Sequence, residues 1–400
     1  HAYGDGATVA LAAGGEWRET LDLSALEGAT VKAYGDVVAR GLPVVRGDDV
    51  VTGPWRSAAD RGDGHTDVYS IEIAMTEQAE GDNYFPLAWE DGRRLNGVDT
   101  LEECQETPGT FFIADAEAGR VDTPSYTLHI HPNGSTDPNE DDKIYEAVTR
   151  SFAVFVGDEA TVQQIHAMRA GTNAGSIVGG FDVVFEKCLA QEGARHVMLA
   201  ASGVMRDCIG WNQTTDQREG VGEILLEFYH PFRDLSEWPR VEGFWDRSIA
   251  VIADPLPGEP IAAGFGGHTS DEGSRYARWV LQDSAVHNVA IAGNERVDAF
   301  DIVRPRVSDG RITVGAGTGT ATVTDPYLTA TGSGAGVGQG LIVKSGHGDV
   351  FVEGARAYVT GDMGGSTVMR TTVDASGRFV VDRSVFVAAR DVADNATAVQ

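Results

Sequence analysis

The octets VVFEKCLA, Val183 to Ala190, and GVMRDCIG, Gly203 to Gly210, stand twenty residues apart and carry the same order of residue characters. Four more octets fall on that spacing: KIYEAVTR from Lys143, QQIHAMRA from Gln163, EILLEFYH from Glu223 and GFWDRSIA from Gly243. Their third position is large and apolar each time: Tyr145, Ile165, Phe185, Met205, Leu225 and Trp245. Their sixth position is mostly apolar and includes Cys188 and Cys208, while the fourth and fifth carry His166, Glu186, Lys187, Arg206, Asp207, Glu227, Asp246 and Arg247. Two buried columns with wet positions between them, repeated at a fixed period, mark stacked units that cannot bury their apolar faces alone.

Leucine-rich repeats share the length but need a leucine and asparagine pattern that is absent, and helical repeats need longer units with amphipathic stretches. Short runs rich in Val, Ile and Phe, separated by turn segments such as Ala170-Gly171-Thr172-Asn173-Ala174-Gly175, fit stacked β-strands instead. The predicted fold is all-β, a parallel β-helix with a coil period of about 20 residues, in which equivalent residues lie roughly 4.8 Å apart. A second register is predicted from Ile177 and Val178, set over Val197 and Met198.

Composition limits the function. The 400 residues include 50 glycines and carry a net charge of −29, and no apolar run approaches the length of a membrane span. A protein that neutralises phosphates needs a basic stripe, so nucleic acid is excluded as a partner. Three cysteines, Cys104, Cys188 and Cys208, do not make a disulfide framework, and no zinc spacing exists. Cys188 and Cys208 are expected to pack as small apolar groups in one interior column. The chain begins at His1 without Met, from which residues are expected to be missing upstream or processed away.

Residues 66–142 break the repeat. Asp67 to Ala74, Phe85 to Trp89, Pro108 to Ile113 and Tyr126 to His131 alternate as antiparallel strands, and Asp91-Gly92 suits a hairpin turn. The predicted organisation is coils over 1–65, an inserted antiparallel module over 66–142, the main helix over 143–309 and a Gly/Thr/Ala-rich β region over 310–400. Gly332 to Gly340 lacks the strand-to-helix setting of a phosphate cradle and is read as turns.

The string GDGATVALAAGGEWRETLDLSALEGATVKAYGD from Gly4, followed by GLPVVRGDD from Gly41, resembles the opening coils of the pectate-lyase-like right-handed parallel β-helix superfamily. The segments PGTFFIAD from Pro108 and YTLHIHPNGSTDP from Tyr126 resemble the small β-insert many of its members carry. The resemblance spans residues 4 to 255 and implies a right-handed helix. It also implies a polysaccharide partner: either a bacteriophage tail spike or tail fibre that recognises a host surface glycan, commonly as a homotrimer among other virion tail proteins, or a secreted polysaccharide lyase or glycoside hydrolase. No cofactor is implied, and no motif supports Ca²⁺.

For catalysis the residues singled out are Glu186, Asp207 and Glu227 as acids and His166 as a base, with Lys187, Arg206, Trp211 and Tyr229 to hold substrate. Carboxyl groups one or two coils apart would have the spacing glycoside hydrolysis requires. Alternation of charge between neighbouring coils also stabilises a solvated strand face by itself. Because adjacent residues of a strand point to opposite sides, the fourth and fifth columns are expected to straddle a turn. His129 and His131 share one side of a strand, but no third metal ligand is evident and no metal is predicted.

Overall fold

The computed structural model describes residues 3–75, 85–114, 124–171, 175–194, 196–213, 224–229, 241–253, 263–267, 276–293, 297–315, 318–331, 341–360, 368–372 and 375–388. The Gly332 to Gly340 tract lies outside them. Three long parallel sheets form a right-handed β-helix. Sheet 1 has 11 strands, starting at Thr8–Ala12 and ending at Phe379–Asp382; sheet 2 has 11, from Glu16–Trp17 to Val385–Ala388; sheet 3 has 10, from Leu21–Leu23 to Met369–Thr371. The chain visits them in the order 1, 2, 3 on every coil, so the Gly-rich region after residue 310 continues the same three sheets.

The octets Val183, Gly203 and Gly243 are one true column: Phe185 aligns with Met205, and Met205 with Trp245, the second step being a coil of twice the length. The other three octets share the spacing without sharing the column. Val162, not Ile165, aligns with Phe185, and Ile165 sits at the following corner. Leu225 belongs to sheet 3, and Tyr145 to the inserted module. Ile177 aligns with Met198 and Val178 with Leu199, one residue off the predicted register. All six third-position residues are nonetheless buried. The strands repeat faithfully, but the segments joining them vary in length, so a constant period in sequence captures only part of the stack.

What stays constant is the corner between sheets 1 and 2. From Gln163/His166 to Asp382/Val385, two residues separate the strands at each passage: Gln164-Ile165, Lys187-Cys188, Asp207-Cys208, Arg247-Ser248, Asp283-Ser284, Arg304-Pro305, Asp325-Pro326, Gly354-Ala355 and Arg383-Ser384. The first of each pair has positive φ, 47° to 56° for the non-glycine residues and 69° for Gly354. A left-handed residue bends the chain sharply, lets Glu186 and Lys187 both face outward, and returns Cys188 to the interior. In the Val183, Gly203 and Gly243 octets the fourth and fifth positions therefore straddle a turn, as predicted, whereas in the other three both positions lie within one strand. Non-glycine residues in this region cost of order 1–3 kcal/mol each, and the inward second residues help to offset that. Ser248 Oγ accepts from the Cys208 N–H at 3.2 Å and donates to Met205 O at 3.0 Å, and Ser284 Oγ accepts from Ser248 N–H at 3.1 Å. Cys188 and Cys208 occupy the same ladder as free, buried thiols.

The bore is aromatic at its middle. Trp245 lies 4.5 Å from Phe228 and 6.0 Å from Trp279 between ring centroids, and Trp279 meets Phe300 edge-on at 5.6 Å. Offset and edge-on pairs of this kind add about 0.5–1.5 kcal/mol beyond burial.

The inserted module leaves the second coil at the corner between sheets 2 and 3. It consists of two four-stranded sheets, one with Ser125–His131 between Thr110–Ala114 and Tyr69–Ala74, the other with Tyr145–Val148 between Asp48–Val50 and Ala88–Glu90. Asp48–Val50 and Tyr145–Val148 thus extend the module beyond residues 66–142. Asp91 and Gly92, both at positive φ, close the Trp89/Arg94 hairpin as their sequence suggested. The module docks through buried ions. Arg46 donates to both oxygens of Asp48 at 2.8 and 2.7 Å and to Glu146 at 2.8 Å, Arg18 reaches Glu146 at 2.7 Å, and Arg169 bonds both acids while its guanidinium lies 4.4 Å from the Trp89 ring centre.

Two substitutions test these contacts. A Cβ on Gly203 (φ 121°) would lie 2.0 Å from Val183 O and 2.6 Å from its N, both backbone atoms of the preceding coil; Gly203→Ala is expected to lower stability in urea unfolding by well over 1 kcal/mol. Removing the fully buried Asp48 carboxylate leaves Arg46 and Arg169 short of a partner; Asp48→Ala is expected to cost about 3–5 kcal/mol, read as early proteolytic release of the module.

Candidate functional site

The eight residues picked from sequence divide among three faces. Glu186, Lys187, Arg206 and Asp207 come together on the outer edge of sheet 1 and its corner, where Glu186 aligns with Arg206 and Arg206 with Asp246. His166 and Trp211 lie on the outward face of sheet 2. Glu227 and Tyr229 belong to sheet 3: Glu227 is fully buried with Oε2 2.8 Å from His196 Nδ1, and half-buried Tyr229 packs against the Phe152, Val178 and Leu199 cluster. The single patch joining Asp207 to Glu227 does not form, because Glu227 follows a sheet 3 register with Leu199 and Gly266.

On sheet 1 the charges are spent on one another. Gln163 Nε2 donates to Glu186 at 2.9 Å, Arg206 Nε to Asp246 at 3.2 Å, and Arg247 grips Asp207 through two bonds of 2.8 and 3.0 Å. The pattern runs on where the repeat had faded from view, with Arg304 on Asp283 at 2.7 Å through both bonds, Arg278 on Asp301 and Arg378 on Asp349. The Arg247 guanidinium holds the Asp207 carboxyl below the usual carboxylate range, and Arg304 does the same to Asp283. A general acid needs the opposite shift.

In the inserted module, His131 spends both ring nitrogens, on Cys104 O and Ser135 Oγ, each at 2.8 Å. His129 is buried beside Phe112 at 5.7 Å between rings. Among the described residues no group of three or more His, Cys, Asp or Glu could hold a metal.

Sheet 2 is different. Its inner column is small or apolar, Val45, Ala167, Ala190, Gly210, Ala250, Val286, Val307, Leu328 and Ala357. The outward columns on either side read His166, Leu189, Ile209, Ile249, Ala285, Arg306, Tyr327, Arg356, Val385 and Met168, Gln191, Trp211, Val251, His287, Ser308, Thr329, Tyr358, Val387. From His166 to the last strand neither contains a carboxylate, although the chain has 60 Asp and Glu; on the other side of His166 the first column continues through Val44 to the exposed Glu16. Tyr327 is 45% and Tyr358 40% exposed, and their ring centroids lie 5.6 Å apart. At the head of this face His166 bonds Gln191 at 3.1 Å, and burial, with Arg46 and Arg169 near by, lowers its imidazole pKa. Of this face, only His166 and Trp211 were singled out from sequence. The available signal was a small residue, Ala190, Gly210 or Ala250, flanked on both sides by larger ones.

No protein-family model matches the chain, and no curated protein matches it. Among solved structures it is similar to the complex of XylC with xylose, with 11% identity, TM-score 0.45 and 92% of this chain covering 70% of the other. It is also similar to a glycoside hydrolase, with 8% identity, TM-score 0.40 and 96% of this chain covering 89% of the other. Both likenesses are too distant to carry a function.

A depressed carboxyl contributes stability that is in place above its unfolded pKa and is lost as pH falls through the folded one. Asp207 is therefore expected to titrate below the ordinary aspartate range by NMR and to move up toward it in Arg247→Met, with little change for Asp283.

Proposed function

We propose that this protein is a polysaccharide-binding protein of the tail-spike or tail-fibre kind, working as a homotrimer at a virion surface and taking a host glycan along the outward face of sheet 2. The observation that carries the reading is that face itself: a long ribbon whose outward columns hold no carboxylate from His166 onward, with Trp211 half-exposed and Tyr327 and Tyr358 open to solvent. Sugars present apolar ring faces and a rim of hydroxyls. Aromatic side chains match the first, and His166, Gln191, Ser308 and Thr329 offer partners for the second. Stacked rungs repeat these groups along the helix axis, which suits a polymer better than a small molecule.

The reading as a secreted lyase or hydrolase on the same fold rests on Glu186, Asp207, Glu227 and His166 acting together. Ion pairing of Asp207, the Gln163 bond to Glu186 and the burial of Glu227 on another sheet favour binding over cleavage.

The test joins assembly, binding and turnover. Light scattering is expected to give a trimer, and incubation with bound polysaccharide to leave its viscosity unchanged and produce no unsaturated product absorbing in the ultraviolet. Tyr327→Ala and Trp211→Ala are each expected to weaken glycan binding about tenfold, corresponding to the 0.5–1.5 kcal/mol of an aromatic contact. Depolymerisation lost in Glu186→Gln or Asp207→Asn would overturn the binding reading in favour of the enzyme.

A further inference from the structure

Resting on the glycan-binding reading, we infer that the polysaccharide is anionic and that its acidic groups seat between Arg306 and Arg356, on the rungs that also carry Tyr327 and Tyr358. Arg306, Tyr327 and Arg356 align on three successive strands of sheet 2. At about 4.8 Å per rung the two arginines stand about 10 Å apart with one tyrosine between them. Tyr358 lies on the same strand as Arg356 and in contact with Tyr327.

These arginines are exposed, and among the described residues neither makes an ion pair. Arg40 and Arg370 are exposed without an ion pair too, but neither stands in a column with a second arginine and a tyrosine, and most arginines of the helix surface are paired. Arg206, Arg247, Arg278, Arg304, Arg378 and Arg383 are each matched to an acid on their own or the neighbouring coil. Asp283 is electrostatically coupled to Arg306, but it is Arg304 that bonds both of its oxygens. In a chain of net charge −29, where carboxylates outnumber cations, keeping two like charges in one column with no acid in that column between them sacrifices the few tenths of a kcal/mol that a cross-strand pair provides.

The guanidinium fork matches a planar carboxylate or a phosphate through paired N–H bonds. Tyrosine faces beside it take the ring that bears the acid. The distant field of the protein repels a polyanion, but at physiological salt that field is screened beyond about 8 Å. Contact between the two arginines then decides affinity, and binding is slow to start and weakened by salt.

The probes are alginate, whose sugars carry carboxylates, its neutral propylene glycol ester, a poly(ribitol phosphate) and single-stranded oligo(dT), each titrated against the full chain by tyrosine and tryptophan fluorescence. Alginate or the phosphate polymer is expected to bind at least tenfold more tightly than the neutral ester, and whichever does so identifies the acid. Arg306→Gln and Arg356→Gln are each expected to remove about tenfold of that advantage and to leave binding of the ester unchanged, with unaltered circular dichroism and melting. Equal binding of charged and neutral polymers, or no effect of either substitution, overturns the inference while the glycan reading stands. Failure of every glycan to bind, or binding insensitive to Tyr327→Ala, overturns the glycan reading itself. Oligo(dT) binding as tightly as the acidic glycans through the same arginines overturns the assignment to a polysaccharide.

Discussion

From the third coil on, every coil bends at the same place, and the left-handed residue between sheets 1 and 2 is the constraint from which the stack follows. Parallel strands pair in register only if each arrives at the corner in the same phase, since a shift of one residue turns interior groups outward. One bent residue followed by one inward residue fixes that phase, and the serine hydroxyls of the inner ladder tie successive corners together. Nearly all these bends use residues with side chains, and six of them are Asp or Arg. Their outward charges then fall above one another, and alternation of sign turns a crowded seam into a line of ion pairs. Each exposed pair contributes little alone; as a row they disfavour sliding by one rung, which would set like charge against like.

This explains how much could be read in the chain. Phe185, Met205 and Trp245 disclose the stack because the coil between the first two has the minimum length and the next is double, so a period of twenty survives by arithmetic. Leu225 and Tyr145 fit the same count yet belong elsewhere, since burial and spacing alone do not distinguish the sheets of a three-sided tube. The module was legible from its alternation and its Asp-Gly turn, but the strands Asp48–Val50 and Tyr145–Val148 that anchor it look like any short apolar run. Pairing of Asp207 with Arg247 across forty residues lies in the coil geometry, which local pattern does not contain. The sheet 2 face stayed hidden because its outward residues are as apolar as many interior ones.

The ionic knot beneath the module has a different character from the seam. Asp48 and Glu146 are buried among Arg18, Arg46 and Arg169, groups drawn from three coils and the inserted strands. Burial pushes the Glu146 carboxyl upward, and the Arg18 bond with the Arg169 and Arg46 charges more than reverses that, leaving it below the ordinary range. Such a cluster gains little over a well-packed apolar contact but is costly to break on one side. Its geometry allows the module one seat, beside the head of sheet 2, so it borders the ribbon assigned to the glycan.

From Gln163 onward the two-residue passage between sheets 1 and 2 divides the molecule into a constant hinge line and two permissive margins. Length accumulates where the chain leaves sheet 2 for sheet 3 or sheet 3 for sheet 1, as the whole inserted module does, without disturbing the phase of any rung. A lineage built on this plan can therefore trade loops of any size at those margins and acquire new recognition surfaces, while inheriting the same spine unchanged.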